Sequence, residues 1–490
     1  MRTVPPTEKG KYRAIASGAI ANGKPVLVNS DGTVSEIAKS GNAAGSKVTY
    51  GDYSSPVRGN NVVFVPSENK VAVLETNGGN GGVHLGTISG TSVSFASKVT
   101  FQSSNAGYGE GMGFSICSSN ASDLDRVLIA YQDIGNSRYG TAIVYKPSDG
   151  TFGSKVVFES AQTQHMVAAY DSNSDRVVIA YEDDADSDKG KAIVGSVSGT
   201  GVSFGSIAEF SAGEISRTNI AFDSSNNKIV IFYQKGPYGT HGEKMNAVVG
   251  TVSGTSISFG SEVEVSSGSS RTVQGLAFDS NANKMVAAWR NSDNSGYLEV
   301  AVGTVSGTSI SFGTTLVTST IVNMGAAVAF NPDRNKVALA YHDDSNSSKL
   351  TVVEGTVSGT DITLGSSMVV NTNTANEIRI GYDTNADKFL VAYEDDTDSN
   401  NGCANVLTAP FEETNLTSTE NYIGIAKGGS YADGQSMTVD IIGTVNDDQS
   451  SLTAGQQYFV QTDGTLGETA DSPSVFAGTA ISATELIVKE

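Results

Sequence analysis

A repeat of fixed period constrains this 490-residue chain more than any other feature of its sequence. The string GTVSGTSISFG begins at Gly250 and again at Gly303. Near-copies begin at Gly86, Gly195 and Gly355. Self-similarity of this kind indicates one supersecondary unit that recurs in space and buries its apolar faces against its neighbours.

A second motif precedes each copy. It contains an aromatic residue, Asp or Asn, a short spacer, a basic residue and an apolar run, as in YDSNSDRVVIAY from Tyr170. Its basic residue recurs at Lys70, Arg126, Arg176, Lys228, Lys284, Lys336 and Lys388. Seven copies spaced by about 53 residues predict an all-β fold, a seven-bladed β-propeller with four-stranded blades.

One repeat illustrates the predicted strands. TVQGLAFDS, KMVAAWR and LEVAVGTVSG are the first to third strands in order, and TSISFGSEVEV of the preceding repeat illustrates the fourth. The SGT step predicts a tight hairpin, because Gly adopts positive φ without strain. In the DSxxxK turn, Asp is expected to bond its own backbone and the basic residue to pair with that Asp. The aromatic residues that end the second strands are expected to pack between blades.

The ends of the repeat region predict how it closes. The seventh repeat stops near Phe411 without a fourth strand. GSKVTYGDYSS from Gly45 matches GSEVEVSSGSS from Gly260, which is a fourth strand with its following loop. We therefore expect residues 45–50 to pair with residues 404–410 and to remove the open edge of the last blade.

The remaining segments contain an internal duplication. IANGKPVLVNSDGTV from Ile20 aligns without gaps to LTAGQQYFVQTDGTL from Leu452. The alignment predicts a small β-barrel-like base module, residues 1–41 with 416–490, whose first copy is split by the propeller of residues 42–415. Insertion of a domain into a loop is a tolerated arrangement.

Composition excludes several classes of protein. A net charge of −21 argues against nucleic-acid binding, because phosphate contacts need a basic surface. No stretch reaches the length of an apolar membrane span, and the start MRTVPPTEKGKYRAI lacks the apolar core of a signal peptide. We expect synthesis in the cytoplasm without membrane insertion. Cys117 and Cys403 are isolated, which argues against a disulfide scaffold or a zinc site.

Acidic loops after the second strands are the candidate ligand site. They read EDDADSDKG from Glu182, HDDSNSS from His342 and EDDTDSNNG from Glu394. In propellers these loops share a face with the inter-blade loops, so a ring of carboxylates is expected there. The predicted ligand-binding residues are Asp183, Asp184, Asp186, Asp343, Asp344, Asp395, Asp396 and Asp398.

Calcium binding and glycan hydrolysis are two further kinds of chemistry to consider for this face. Asp184, Asp186 and Asp188 alternate as in a calcium loop, but the Gly and the bidentate Glu of an EF-hand are missing. A solvated hairpin without a cofactor is therefore favoured, with calcium as the alternative. Glycan hydrolysis would need an arginine cluster such as Arg217, Arg271 and Arg379, but no SxDxGxxW box accompanies it. No catalytic residue is predicted.

The base sequence resembles a known class of module. YIGIAKGGSYADGQSMTVDIIGTV and GTAISAT resemble modules of structural proteins in tailed bacteriophages, especially marine ones, and small capsid decoration proteins. The GTVSGTSISFG repeats are similar to repeat-rich phage proteins of the tail-fibre type. The resemblance implies a protein at the virion surface. We expect it to be non-enzymatic and homo-oligomeric, to dock on capsid or tail and to bind host-surface glycans. A mainly stabilising decoration or head-fibre protein and a glycan hydrolase are the alternatives.

Overall fold

The fold is described for most of the chain. The computed structural model describes residues 9–41, 44–51, 57–77, 79–104, 106–107, 115–119, 126–236, 243–266, 275–408, 412–416, 418–470 and 473–489. The chain divides into two compact units: a base unit, residues 1–42 with 412–490, and a repeat unit, residues 43–411. Residues 412–415, which the sequence division assigned to the repeats, lie in the base unit because Glu412–Thr414 pairs with Lys39–Gly41.

Both units consist of antiparallel sheets, so the predicted all-β class is confirmed. The helices among the described residues are short 3₁₀ turns, at Pro66–Glu68, Ile134–Asn136, Asp184–Asp186 and Asp344–Asn346. In this described part of the chain, no helix has the length and apolar character that crossing a bilayer requires.

Strands recur in the same order through the repeat unit, and we number the repeats 1 to 7 by their second strands. The second strands are Lys70–Asn77, Arg126–Asp133, Arg176–Asp183, Lys228–Lys235, Lys284–Asn291, Lys336–Asp343 and Lys388–Asp395. The third strands are Asn80–Ser89, Tyr139–Lys146, Lys189–Ser198, Lys244–Ser253, Tyr297–Ser306, Lys349–Ser358 and Asn401–Thr408.

First and outer strands are often continuous between repeats. Separate first strands are Val57–Val65, Ser115–Ser119 and Gly275–Asp279, and separate outer strands are Val99–Gln102 and Val263–Glu264. Long strands that leave the edge of one repeat and become the first strand of the next are Val156–Asp171, Ala208–Asp223, Leu316–Asn331 and Asp361–Asp383.

The predicted fourth strand is two segments, which corrects the sequence assignment. In repeat 4, Ser256–Phe259 folds back on the distal end of the third strand, and Val263–Glu264 pairs with the proximal end of that same strand. Gly260 lies between them and donates its N–H to Val249 O at 2.9 Å. The fold-back strands of the other repeats are Ser92–Phe95, Thr151–Phe152, Gly201–Phe204 and Ser309–Phe312, with the equivalent pairing inside Asp361–Asp383.

The turns have two of the features predicted from the sequence and differ in a third, the partner of the basic residue. Gly199 and Gly254 of the SGT hairpins have φ of 57° and 61°, as predicted. Asp171 Oδ1 accepts the N–H groups of its own turn at 3.0 Å, also as predicted. The basic residue does not pair with that Asp: Arg176 Nε donates to Gly254 O at 3.1 Å in the next repeat. Arg126 makes the same contact to Gly199 O, so an arginine at this position links neighbouring repeats.

The core of the repeat unit consists of apolar clusters shared by consecutive repeats. The aromatic residue near the end of the second strand lies in them in repeats 2 to 7, as predicted, with Tyr131, Tyr181, Tyr233, Trp289, Tyr341 and Tyr393 at most 3% exposed. A further cluster joins Leu390 and Ala404 of repeat 7 to Val71 of repeat 1. First strands of consecutive repeats are in contact, and that of repeat 7 contacts that of repeat 1.

The strand Val48–Gly51 pairs with the third strand of repeat 7, as the sequence predicts. Val48 pairs with Ala404 and Thr49 with Cys403, while Gly45 N–H donates to Val406 O at 2.9 Å. Residues 409 and 410 of the expected pairing lie outside the described residues. Tyr50 stacks on Phe95 of repeat 1 with ring centroids 5.2 Å apart.

Glycine is required where neighbouring repeats touch. A Cβ on Gly205 would lie 1.9 Å from Thr255 O in the hairpin of the next repeat. Gly153, Gly260 and Gly313 meet Thr200, Thr308 and Thr360 in the same way. A Cβ on Gly45 would lie 1.7 Å from Thr91 O. The N-terminal segment therefore makes the contact with repeat 1 that other repeats make with their successors.

The base unit contains two five-stranded sheets of the same topology, as a duplicated module requires. Copy A has strands Lys11–Ile15, Pro25–Val28, Val34–Glu36, Tyr422–Lys427 and Ser436–Asp440. Copy B has strands Val445–Asn446, Gln457–Val460, Leu466–Gly467, Val475–Ala480 and Leu486–Val488. In both sheets the order is first, fifth, fourth, second, third. The predicted turns are also equivalent, because Asp31 and Asp463 each accept the N–H of the Thr two residues later.

Candidate functional site

The loops after the second strands of repeats 2, 3, 5, 6 and 7 share one backbone conformation. Each of these five has two successive residues with positive φ: Ser137 and Arg138, Ser187 and Asp188, Ser295 and Gly296, Ser347 and Ser348, Ser399 and Asn400. In repeats 2, 3 and 6 they follow a short 3₁₀ turn. Ser, Asn, Asp and Gly tolerate such geometry better than most residues, because short polar side chains bond locally. The loop backbone is thus repeated while its side chains vary.

Repeat 3 concentrates carboxylates in this loop. Glu182, Asp184 and Asp188 each place a carboxylate oxygen within 4.8 Å of the other two. Glu182 is 5% exposed and its Oε2 lies 2.6 Å from His165 Nδ1. Gln164 Nε2 donates to Asp184 Oδ1 at 3.1 Å. Both partners come from the first strand of the same repeat, so the cluster rests on strands and a well-defined turn.

Burial and the crowding of like charges make Asp188 a weak acid. Burial raises its pKa to about 7, with contributions from its hydrogen bond to Asp184 and from the negative charges of Glu182, Asp184 and Glu214. The cluster therefore takes up or releases one proton near neutral pH. A cation or a hydrogen-bond donor that entered the cluster would displace that proton.

Asp186 does not join this cluster, which changes the predicted calcium set. Lys191 Nζ lies 2.9 Å from Asp186 Oδ2 and 2.5 Å from Asp183 Oδ2. The hydrogen bond from Lys191 lowers the pKa of Asp186. The structure brings Asp184 and Asp188 together with Glu182, whereas Asp183 and Asp186 form an ion-pair network with Lys191.

In repeat 7 the equivalent carboxylates already have a cation. Lys47 Nζ lies 2.9 Å from both Asp395 Oδ2 and Asp398 Oδ2. Burial alone would raise the pKa of Asp395, but hydrogen bonds from Lys47, Asn371 and Thr397 outweigh it and hold that pKa at about 2. These two carboxylates therefore fasten the closing strand.

The other predicted site residues also have partners within the chain. Asp396 Oδ1 accepts from Asn376 Nδ2 at 2.8 Å. Asp344 Oδ1 lies 3.2 Å from His342 Nε2 and accepts from Ser348 Oγ at 3.1 Å. Asp343 is 7% exposed, and burial raises its pKa. Among the described residues, the expected ring of available carboxylates is thus reduced to one cluster in repeat 3.

Sequence reasoning missed the first-strand residues that support the site. His165 has φ of 47°, and the equivalent residues Arg217 and Glu377 have φ of 48° and 49°. Each lies five residues before the aromatic residue near the end of its first strand, where repeat 6 has Gly325. Glycine at that position is a sequence signal for left-handed backbone and could have revealed the bulge. Non-glycine residues there carry strain, which often accompanies function.

Two of the three arginines considered for catalysis, Arg217 and Arg379, lie among the described residues. Arg379 Nη1 donates to Ile378 O at 2.8 Å, and burial lowers the pKa of its guanidinium. Arg217 is 8% exposed. Arg271 lies outside the described residues.

The cluster in repeat 3 can act in two ways. Its carboxylate oxygens are hard ligands of the kind that Ca²⁺ takes. The same oxygens can accept hydrogen bonds from the hydroxyl groups of a ligand, while His165 and Gln164 fix their orientation. Asp395, Asp398 and Cys403 also lie within 4.8 Å of one another. The ammonium of Lys47 already compensates the two carboxylates of that group.

Comparisons with known proteins do not assign this chain to a family. No protein-family model matches the chain, and no curated protein matches it. Among solved structures, the chain is similar to one titled "Structure of SapL1 lectin in complex with alpha methyl fucoside", with a TM-score of 0.39 and 12% identity. The match covers 65% of this chain and 97% of that chain. Likeness at this level says nothing about what this chain binds.

Proposed function

We propose that residues 43–411 form a seven-bladed β-propeller, closed by the strand Val48–Gly51. Support comes from the apolar clusters that link each repeat to the next and repeat 7 to repeat 1. Contact between the first strands of repeats 7 and 1 supports the same arrangement. Closure leaves the sheet without an unpaired edge, which favours a monodisperse protein.

We further propose that the chain is a non-enzymatic structural protein of a bacteriophage virion, which displays this propeller for binding to the host surface. The duplicated base module supports a mounting role, because it is built from segments on both sides of the repeat unit, which is a single insertion. Attachment to capsid or tail through the base is part of the proposal.

One observation carries the binding role. The loops after the second strands keep their backbone while the side chains at three positions change: Gln132, Ile134 and Arg138; Glu182, Asp184 and Asp188; His342, Asp344 and Ser348; Glu394, Asp396 and Asn400. A rigid scaffold with variable loop residues is typical of recognition surfaces. Weak contacts of such loops gain avidity when many copies are displayed on one particle.

The cluster in repeat 3 is the loop site we assign to a hydroxyl-rich ligand such as a surface glycan. Labelled protein should bind host cells and members of a glycan array. Glu182→Gln with Asp184→Asn should reduce that binding, and Glu394→Gln with Asp396→Asn in repeat 7 is the matched control. Equal binding by both variants would exclude the repeat 3 site, and no binding to cells or glycans would contradict the receptor-binding role.

Three further outcomes separate the alternatives. Antibody labelling of purified particles in the electron microscope should place the protein on the virion, and unlabelled particles would refute the virion assignment. Particles that lose stability without the protein, while adsorption is unchanged, would identify a decoration protein. Release of reducing sugar that Arg271→Ala abolishes would identify a glycan hydrolase.

Calcium is the second candidate ligand, favoured by the three mutually close carboxylates. Ca²⁺ that binds only the folded state stabilises it by RT ln(1 + [Ca²⁺]/Kd), so it would raise Tm. A rise in Tm with CaCl₂ that Asp188→Asn removes and Asp398→Asn retains would establish the site. An unchanged Tm would exclude calcium.

A further inference from the structure

The two copies of the base module meet through non-equivalent faces. Leu27, Tyr422 and Ile425 of copy A are at most 4% exposed and share one apolar cluster with Tyr458 and Val460 of copy B. Because side chains alternate between the two faces of a strand, these residues define a back face on copy A and a front face on copy B.

Strand register identifies the equivalent faces on the other copy. Leu27 pairs with Tyr422, and Phe459 pairs with Phe476, each beside a β-bulge. The back face of copy B is therefore made by Phe459, Phe476 and Thr479. The front face of copy A is made by the equivalents of Val460, Ala477 and Val488, which are Val28, Ile423 and Ile441.

The back face of copy B is only half-buried, whereas its copy A equivalent is buried. Phe459 and Phe476 meet edge to face with ring centroids 5.8 Å apart and remain partly accessible. Val445, on the neighbouring first strand of the same sheet, is 45% exposed. In copy A the equivalent surface is covered by copy B.

The front face is more exposed in copy A than in copy B. Val460, Ala477 and Val488 of copy B are 0% exposed beneath copy A. The equivalent Val28 and Ile423 of copy A are only partly buried, as is Ile441, whereas Val26, Ala426 and Val439 on the same face are 0% exposed. One base unit thus contains one completed front-to-back contact, with a partly open back face and a partly open front face.

We propose that a second copy of this chain completes both faces. The back face of copy B in one molecule packs on the front face of copy A in the next, which repeats the contact that the two copies make within a chain. Such an interface is heterologous, so it generates a closed ring or a filament. This inference does not depend on the proposed virion function.

Sedimentation of the full-length chain over a range of concentrations tests the proposal. The wild type should associate. Phe476→Glu on the back face and Ile441→Glu on the front face should each raise the dissociation constant by at least about 10-fold, as loss of a central apolar anchor does. Val445→Glu is a milder back-face variant in case Phe476→Glu fails to fold. Val157→Glu, at an apolar residue of repeat 2 that is 40% exposed, is the matched control and should associate like wild type.

A mixture of the two face variants is decisive. Neither variant should associate alone, but together they should form a dimer, because one intact front face and one intact back face remain. A wild type that stays monomeric at all concentrations would overturn the proposal. So would a mixture that fails to dimerise, or a front-face variant that associates normally, which would indicate a symmetric back-to-back contact.

Discussion

Lys47 Nζ lies 2.9 Å from Asp395 Oδ2, although 348 residues separate the two in the chain. The Asp395 carboxylate is 0% exposed and also accepts hydrogen bonds from Asn371 and Thr397. Lys47 enters on the N-terminal strand, so this ion pair joins the beginning of the repeat unit to its end. It also shows why the acidic loop of repeat 7 is a structural element.

Removal of Lys47 should weaken this closure. Lys47→Met leaves a buried carboxylate without its cation, which we expect to lower the free energy of unfolding by about 3 kcal/mol. Urea denaturation measures the change. Lys146→Met is the control, because its partner Asp149 is 46% exposed and such pairs contribute under about 1 kcal/mol. Equal effects of the two variants would contradict the role of Lys47.

Acid should act on the same contact. The pKa of Asp395 is about 2 in the folded chain and about 3.9 in an unfolded one, so its stabilisation is present above pH 4 and is lost as the pH falls towards 2. The loss is about 2 kcal/mol. Asp395→Asn should flatten that part of the stability–pH curve measured by urea denaturation. A variant with the wild-type slope would refute the assignment.

The contribution of Asp188 to stability should change with pH in the opposite direction. Its pKa is raised to about 7, so its contribution is fully present below pH 4 and is lost as the pH rises through 7. Asp188→Asn should therefore unfold at a higher Tm than wild type at pH 8, by the equivalent of at least about 1 kcal/mol. Asp186→Asn is the control and should lower Tm, because Lys191 stabilises that carboxylate. Lower Tm for both variants would contradict the crowded cluster.

Glycines at the contacts between repeats should not tolerate a side chain. Gly205→Ala places a Cβ against Thr255 O and should cost about 2 kcal/mol or more, because backbone must move. Gly365→Ala changes the equivalent residue of repeat 6, where the nearest atom would be 3.7 Å away, and should be close to neutral. Thermal unfolding measures both. Similar losses would show that the intrinsic backbone preferences of Gly and Ala, and not the contact with Thr255, determine the loss of stability.

Local periodic signals predicted much of the fold. The closing strand could be predicted because Gly45 to Tyr50 has the sequence pattern of an outer strand. The same pattern is missing from the seventh repeat, which identifies the partner of this strand. The duplicated base was found for the same reason. The split of the fourth strand was missed, because Gly260 interrupts an apolar alternation that otherwise continues through it.

The candidate site was predicted only in part, because its contacts depend on tertiary structure. The loop composition identified Asp184 and Asp188, but nothing in the spacing of His165 or Lys47 placed them beside carboxylates. Alternation also grouped Asp186 with its neighbours, whereas the 3₁₀ turn directs it to Lys191. Tertiary packing determines which partner a charged side chain contacts, and the sequence of one loop carries no information about that packing.

Formation of a disulfide between residues 49 and 403 tests the closure of the repeat unit most directly. Thr49 pairs with Cys403 and its Oγ1 lies 3.7 Å from Sγ, so Thr49→Cys should cross-link to Cys403 on mild oxidation. Val48→Cys, whose side chain faces the other side of the strand, is the control and should stay reduced. Peptide mass spectrometry should find the 49–403 link in folded protein. A Thr49→Cys protein that stays reduced, or that links to Cys117, would contradict the account.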